Sequence, residues 1–186
     1  DMVIMTKDGA TLFETIPRNV TFQAQPMYNA GVPGNSVYVD GLPIISGTGG
    51  NSDASGKISG MLQLRDTVAG TMQSQLDEIA RGLITAFAET DGSGGPLPAA
   101  TGLFTWPGAP AIPASGTIVG GLAGQISLNT AFDTASGGDP TRLRDGGANG
   151  AGYVHNTGGA SSFADLLISY SQNLDKPIAF DPASAI

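Results

Sequence analysis

The chain has 186 residues, with 8 Lys+Arg against 16 Asp+Glu and a formal net charge of −8. Phosphate backbones and anionic membranes are both bound through Lys and Arg, so an acidic chain without a basic block suits neither. The absence of cysteine excludes disulfides, thiol catalysis, iron–sulfur clusters and Cys-ligated zinc.

A chain of this length can bury a core, and a hydrophobic content of 40% argues against disorder. Only 13% of residues are charged, so Gly, Ser, Thr, Asn and Ala must cover much of the surface. That texture suits secreted proteins and subunits that pack against copies of themselves. No run reaches the ~20 apolar residues of a membrane span. The chain opens on Asp1 with strand-like sequence and no signal-peptide pattern, and so reads as a piece of a longer protein.

Residues 2–6 and 11–16 are apolar, β-branched runs around Lys7-Asp8-Gly9-Ala10, which predicts a hairpin closed by an Asp-Gly turn. Pro17 ends the second run. Residues 20–24 and 36–40 read as two further strands, separated by a turn-rich loop at 26–35. Gly41-Leu42-Pro43 follows, then the Gly/Ser/Asn-rich stretch 46–56, read as flexible linker.

The texture changes at Lys57. From Ile58 to Glu89 there is no proline, and apolar residues recur at Ile58, Met61, Leu62, Val68, Met72, Leu76, Ile79, Leu83 and Phe87. This spacing predicts one long helix over about 57–90, with that stripe buried. Gln73, Gln75, Asp77, Glu78 and Arg81 fall mostly on the opposite face, where solvent is expected. At 1.5 Å per residue the rod would be on the order of 45 Å long.

Beyond the stop at Asp91-Gly92-Ser93-Gly94-Gly95-Pro96, residues 103–106, 117–119 and 125–129 are candidate strands. Arg142-Leu143-Arg144-Asp145-Gly146-Gly147 reads as a charged turn. Ser162 with Asp165 has capping-box spacing and opens a predicted second helix over about 162–175. Phe163, Leu166, Leu167, Tyr170 and Leu174 form its apolar face, and Pro177 prevents its continuation. The fold class is therefore α+β: one long helix and a shorter C-terminal one, with β-rich segments on either side. The expected organisation is a core-side part at 1–91, a Gly/Pro-rich outward β domain at 92–155, and a return to the core side at 156–186.

No catalytic constellation rises above background. His155 is the single histidine, which excludes an H-E-x-x-H zinc site. There is no G-x-S-x-G elbow to partner it, so it is read as a loop histidine. Gly50 to Lys57 has the wrong spacing for a phosphate loop, with Ile58 where a hydroxyl is needed. Gly47-Thr48-Gly49 lacks the third glycine of a dinucleotide fingerprint. Asp133 and Asp139 lack calcium-loop spacing and read as turn residues. Asp77/Glu78 and Glu89/Asp91 are read as solvated carboxylates, because sequence neighbours on a helix do not face each other. Met61, Met72 and Phe87 are read as core packing. Asn19-Val20-Thr21 is a glycosylation sequon of little weight. No enzyme, cofactor or metal is expected. Arg65-Asp66, adjacent charges early in an apolar helix, are the least bland pair: either solvated, or a polar lock against a neighbouring element or subunit.

Three segments carry a resemblance. Gly56-Lys57-Ile58-Ser59-Gly60-Met61-Leu62-Gln63-Leu64-Arg65-Asp66 resembles the Gly-x-x-x-Gly-x-Leu-x-x-Arg-Asp run that opens a long helix in bacterial flagellar hook-associated proteins. Asp8-Gly9-Ala10-Thr11-Leu12 is similar to that family's upstream D-G-x-x-L piece. Ile126-Ser127-Leu128-Asn129, Asp139-Pro140 and Leu143-Arg144-Asp145-Gly146 are similar to its later I-x-V-N, D-P and L-R-D-G elements. The order and separations agree over roughly residues 1–175.

The resemblance implies a structural role in the extracellular flagellum, as an adaptor ring joining hook to filament by packing of subunits. The implied partners are copies of the chain, the hook protein and neighbouring junction or filament proteins, with neither nucleic acid nor membrane. The implied route out of the cell is the flagellar secretion system. The family polymerises through heptad-patterned helices at its extreme termini, which this chain lacks, so an interior fragment compatible with a monomer is expected. The resemblance also places Arg65 and Asp66 as candidate interface residues. Two alternatives stand beside it: another flagellar axial protein (filament subunit or cap), or a secreted β-rich adhesin or binding module. An enzyme is third.

Overall fold

In the computed structural model, residues 2–5, 11–26, 34–44 and 56–182 are described. They fall into two compact units, Asp1–Met72 and Gln73–Ile186. Helix and strand are mixed, as expected, with small sheets and one long helix of 30 residues.

In the first unit, β1 (Ile4–Met5) and β2 (Thr11–Phe13) pair antiparallel, with Ile4 opposite Phe13 and Met5 opposite Thr11. The predicted Asp8-Gly9 turn lies outside the described residues, as do most of the 26–35 loop and the 46–56 linker. β3 (Val20–Phe22), β4 (Val37–Val39) and β5 (Leu42–Ile44) make a second antiparallel sheet in that order. Val37 and Val39 are buried while Tyr38 between them faces out, the period-2 pattern of a half-covered strand.

The strand β5 was not expected. Asp40 and Gly41 both have positive φ, 50° and 81°, the geometry of a tight hairpin turn whose twist matches the flanking strands. Pro43 masks β5 in the sequence, yet proline is tolerated on an edge strand, which is where β5 lies.

The long helix runs over 57–86 as α1 (Lys57–Gln63), a π-helical turn at Leu64–Val68, and α2 (Ala69–Ala86). It stops short of the expected residue 90. Glu89 exchanges two main-chain hydrogen bonds with Ala100, at 2.8 and 2.9 Å, and this β-bridge takes the backbone out of helical geometry.

In the second unit the core is Ala80, Ile84 and Leu122, with Phe104, Trp106, Ile112, Val119 and Ile126 packed around it. Phe87 is half-buried and lies edge-on to Phe104, with ring centroids 5.4 Å apart. β6 (Phe104–Thr105) pairs with β7 (Ser127–Leu128), inside two of the predicted strand segments. Residues 117–119 form no strand; Val119 accepts from Leu122 in a turn instead. Residues Arg142–Asp145 form the short helix α3 where a turn was expected.

The last helix, α4, covers Asp165–Asp175. Its N-cap is Ala164, without a side-chain cap, so the capping box at Ser162 is not formed. Leu166 and Tyr170 of its expected apolar face are buried, whereas Leu167 and Leu174 are exposed.

Candidate subunit interface

Along the long helix Leu62 is buried as the sequence pattern predicts, but much of the rest of the stripe faces out. Met72, Leu76 and Ile79, expected in the core, are 56%, 52% and 47% exposed, and Ile58, Met61 and Leu64 are exposed too. Met61 and Met72 are therefore not core residues, while Phe87 does pack against rings. Asp77, Glu78 and Arg81, expected in water, are buried, as is Glu89.

Each buried carboxylate has a specific partner set. Asp77 accepts from the backbone N–H of Gly121 and of Ala123, both at 2.8 Å, and from Gln73 at 3.0 Å. Its position beside Ala80 and Ile84 at helical spacing brings Leu122 onto the helix. Glu78 is chelated by Arg81 through three hydrogen bonds of 2.9–3.1 Å. The Arg81 hydrogen bond holds the Glu78 pKa below the ordinary carboxylate value, against the opposing effect of burial. Glu89 accepts from the main-chain N–H of Ala148 and of Asn149, and from the Asn149 side chain, at 2.8–2.9 Å.

These carboxylates pin three loops to α2 and its exit. The apolar stripe at Met72, Leu76, Ile79 and Leu83 is what remains on the third side of α2. With small residues such as Ala80, Gly82 and Ala86 on the buried sides, the chain comes close to the helix backbone there.

Arg65 and Asp66 sit in the π-helical turn. The Arg65 guanidinium forks onto the neighbouring Asp66 carboxylate and donates to the Asn35 carbonyl at 2.7 Å. Asn35 in turn donates to the Gln23 carbonyl at 3.0 Å. Gly34 makes room for this: a Cβ there would lie 2.5 Å from the Arg65 Cζ. Both side chains are about three-quarters covered. Of the two readings of the pair, the geometry within this unit is that of a polar lock between the helix and the segment leading into β4.

The remaining candidates hold local structure. His155 lies in a loop, its Nε2 3.2 Å from the Thr90 carbonyl. Asp133 accepts from Ser136 and Ala135, and Asp139 from the hydroxyl and N–H of Thr141. Both carboxyls are thereby held below their ordinary pKa. Asp91 is pulled down to about 2, first by the Ser93 hydroxyl and then by the Ser93 and Leu97 N–H groups. Asp145, forked by Arg144 and bonded by Asn156, also falls to about 2. Gly47-Thr48-Gly49 and Gly50 lie outside the described residues. Asn19 is exposed at the start of β3, its N–H bonded to the Asp40 carboxylate.

Two features escaped sequence reasoning: the exposure of the stripe and the burial of the carboxylates. A signal for the second was present in Glu78-Ile79-Ala80-Arg81, an acid and a base at i,i+3 next to Gly82. No protein-family model, no curated protein and no solved structure matches this chain.

Proposed function

We propose that the chain is an α+β structural subunit of the bacterial flagellum. Its role in this reading is to form, by lateral and axial packing, an adaptor ring that joins hook to filament. The observation that carries it is the exposed stripe Met72, Leu76 and Ile79 on a helix of 30 residues. Apolar surface of that kind on a helix favours association, since burying it recovers roughly 25 cal/mol per Å². The sparse charge also supports the reading, because repeated contacts around a ring avoid like-charge repulsion. In this assembly Arg65 and Asp66 hold the segment before β4 against the π-helical turn at Leu64–Val68.

The test is deletion of the parent gene followed by electron microscopy of the cells. Bare hooks with filament subunits lost to the medium support the junction role. Normal filaments contradict it and bring forward the adhesin reading.

A further inference from the structure

The second unit carries a segment whose anchorage differs from that of every other loop described above. Residues 176–182 leave α4 at Lys176, where the chain bends, and lie over Glu78 and Gly82 of α2. Three contacts tie them to α2 among the described residues. Arg81 donates to the Ala179 carbonyl at 2.9 Å, and the Asp181 N–H donates to the Glu78 carboxylate at 3.0 Å. Ile178 is seated on Gly82, its Cδ1 3.0 Å from where a Cβ would stand. The side chains of 176–180 are themselves exposed. Ile178 and Phe180 form one wall of a groove of about 280 Å³, and Ile79 and Leu83 of α2 with Leu174 of α4 form the other.

The strap therefore covers a pair of charges. Burying an ion pair removes hydration that its mutual attraction only partly restores. Lifting the strap returns water to Glu78 and Arg81 while the three hydrogen bonds between them persist. Opening loses the hydrogen bonds from Arg81 to the Ala179 carbonyl and from the Asp181 N–H to Glu78, together with the Ile178 seat, but it regains the hydration of two ions. A strap laid over purely apolar surface would have no such offset.

We propose that residues 176–182 are a latch that opens as a local unit ahead of global unfolding, and whose closure builds the second wall of the apolar groove. Closed, the latch presents aliphatic side chains around a groove. Open, it leaves a charged pair in water beside Ile79 and Leu83. It is a two-state element that changes the chemistry of one helix face; its evidence is the strap's own contacts, although Ile79 also belongs to the exposed stripe.

Amide hydrogen exchange followed by NMR on the folded chain tests it. The Asp181 amide should exchange about 100-fold faster than that of Ile84, which lies in the core of the same helix. Two substitutions disturb the seat: Gly82→Leu fills it from the helix and Ile178→Ala empties it from the strap. Each should speed Asp181 exchange a further tenfold or so, with Ile84 speeding by no more than the same factor because the seat is absent from the unfolded state too, and should hasten chymotryptic cleavage after Phe180. Should Gly82→Leu fail to fold, the wild-type comparison and Ile178→Ala carry the test alone. Exchange of Asp181 and Ile84 at a common rate in the wild type overturns the latch. So does an Ile178→Ala variant whose Asp181 exchange is unaltered.

Discussion

The carboxylate of Glu89 accepts both the main-chain and the side-chain N–H of Asn149, at 2.9 and 2.8 Å, across 60 positions of sequence. The same Asn149 amide also donates to the Thr101 carbonyl at 2.7 Å. One fully buried acid thus ties the exit of α2 to the turn at 148–149 and, through Asn149, to the backbone beside Ala100. Glu89→Ala leaves three N–H groups without an acceptor and should lower stability by about 3 kcal/mol or more, since each unmet buried donor costs about 1–3 kcal/mol. Glu89→Gln keeps one acceptor and should lose less. Chemical denaturation of the three proteins checks the order.

Arg65 offers a double-mutant cycle. Its bonds to Asp66 and to the Asn35 carbonyl imply a loss of about 1 kcal/mol in Arg65→Ala, above the roughly 0.5 kcal/mol typical of a purely exposed site. Gly34→Ala places a Cβ on the guanidinium and should also destabilise the wild type. In the Arg65→Ala background the same change should be nearly neutral. Additive losses in thermal melts would show that the two positions do not meet.

The buried pair on α2 makes a second, asymmetric prediction. Arg81→Met alone leaves Glu78 charged and enclosed, a change that typically costs about 3 kcal/mol. Replacing both residues, as Glu78→Leu with Arg81→Met, should recover most of that loss, because neither charge then needs a partner. Urea midpoints for the single and double variants separate this from a simple loss of side-chain volume.

Stability should fall on the acid side. Glu78 has a folded pKa below its ordinary value, through the Arg81 hydrogen bond, and Asp145 is pulled down to about 2 by Arg144 and Asn156. A lowered folded pKa means that the contribution is complete above the unfolded pKa and is lost as pH falls through the folded one. The free energy of unfolding should therefore be flat from about pH 7 to 5 and decline between about pH 4 and 2. Denaturant titrations at stepped pH read this directly.

How much of this was legible in the sequence varies with the force responsible. The long helix was plain from its 3.6-residue period and lack of proline, and the existence of β3 and β4, though not their pairing, from β-branched runs on either side of a turn-rich loop. Periodicity finds a stripe but says nothing of what covers it. Met72 and Leu76 satisfy the same pattern whether they face a core or a neighbour. Asp77, Glu78 and Glu89 were misplaced because burial of a carboxylate depends on N–H groups from Gly121, Asp181 and Asn149, each at least 40 residues away. Strand β5 was hidden by Pro43, whose tolerance there depends on its being at a sheet edge. The early end of α2 follows from the pairing of Glu89 with Ala100, which local propensity does not encode.

The most direct measurement replaces the parent gene with one carrying Leu76→Gln and Ile79→Gln. Both side chains are about half exposed, so each substitution should cost about 1 kcal/mol and leave the chain folded, which a melt of the purified chain verifies. Electron microscopy of the cells then decides the matter. The proposed interface predicts a folded protein and hooks without attached filaments. Normal filaments on cells making the folded variant would contradict it.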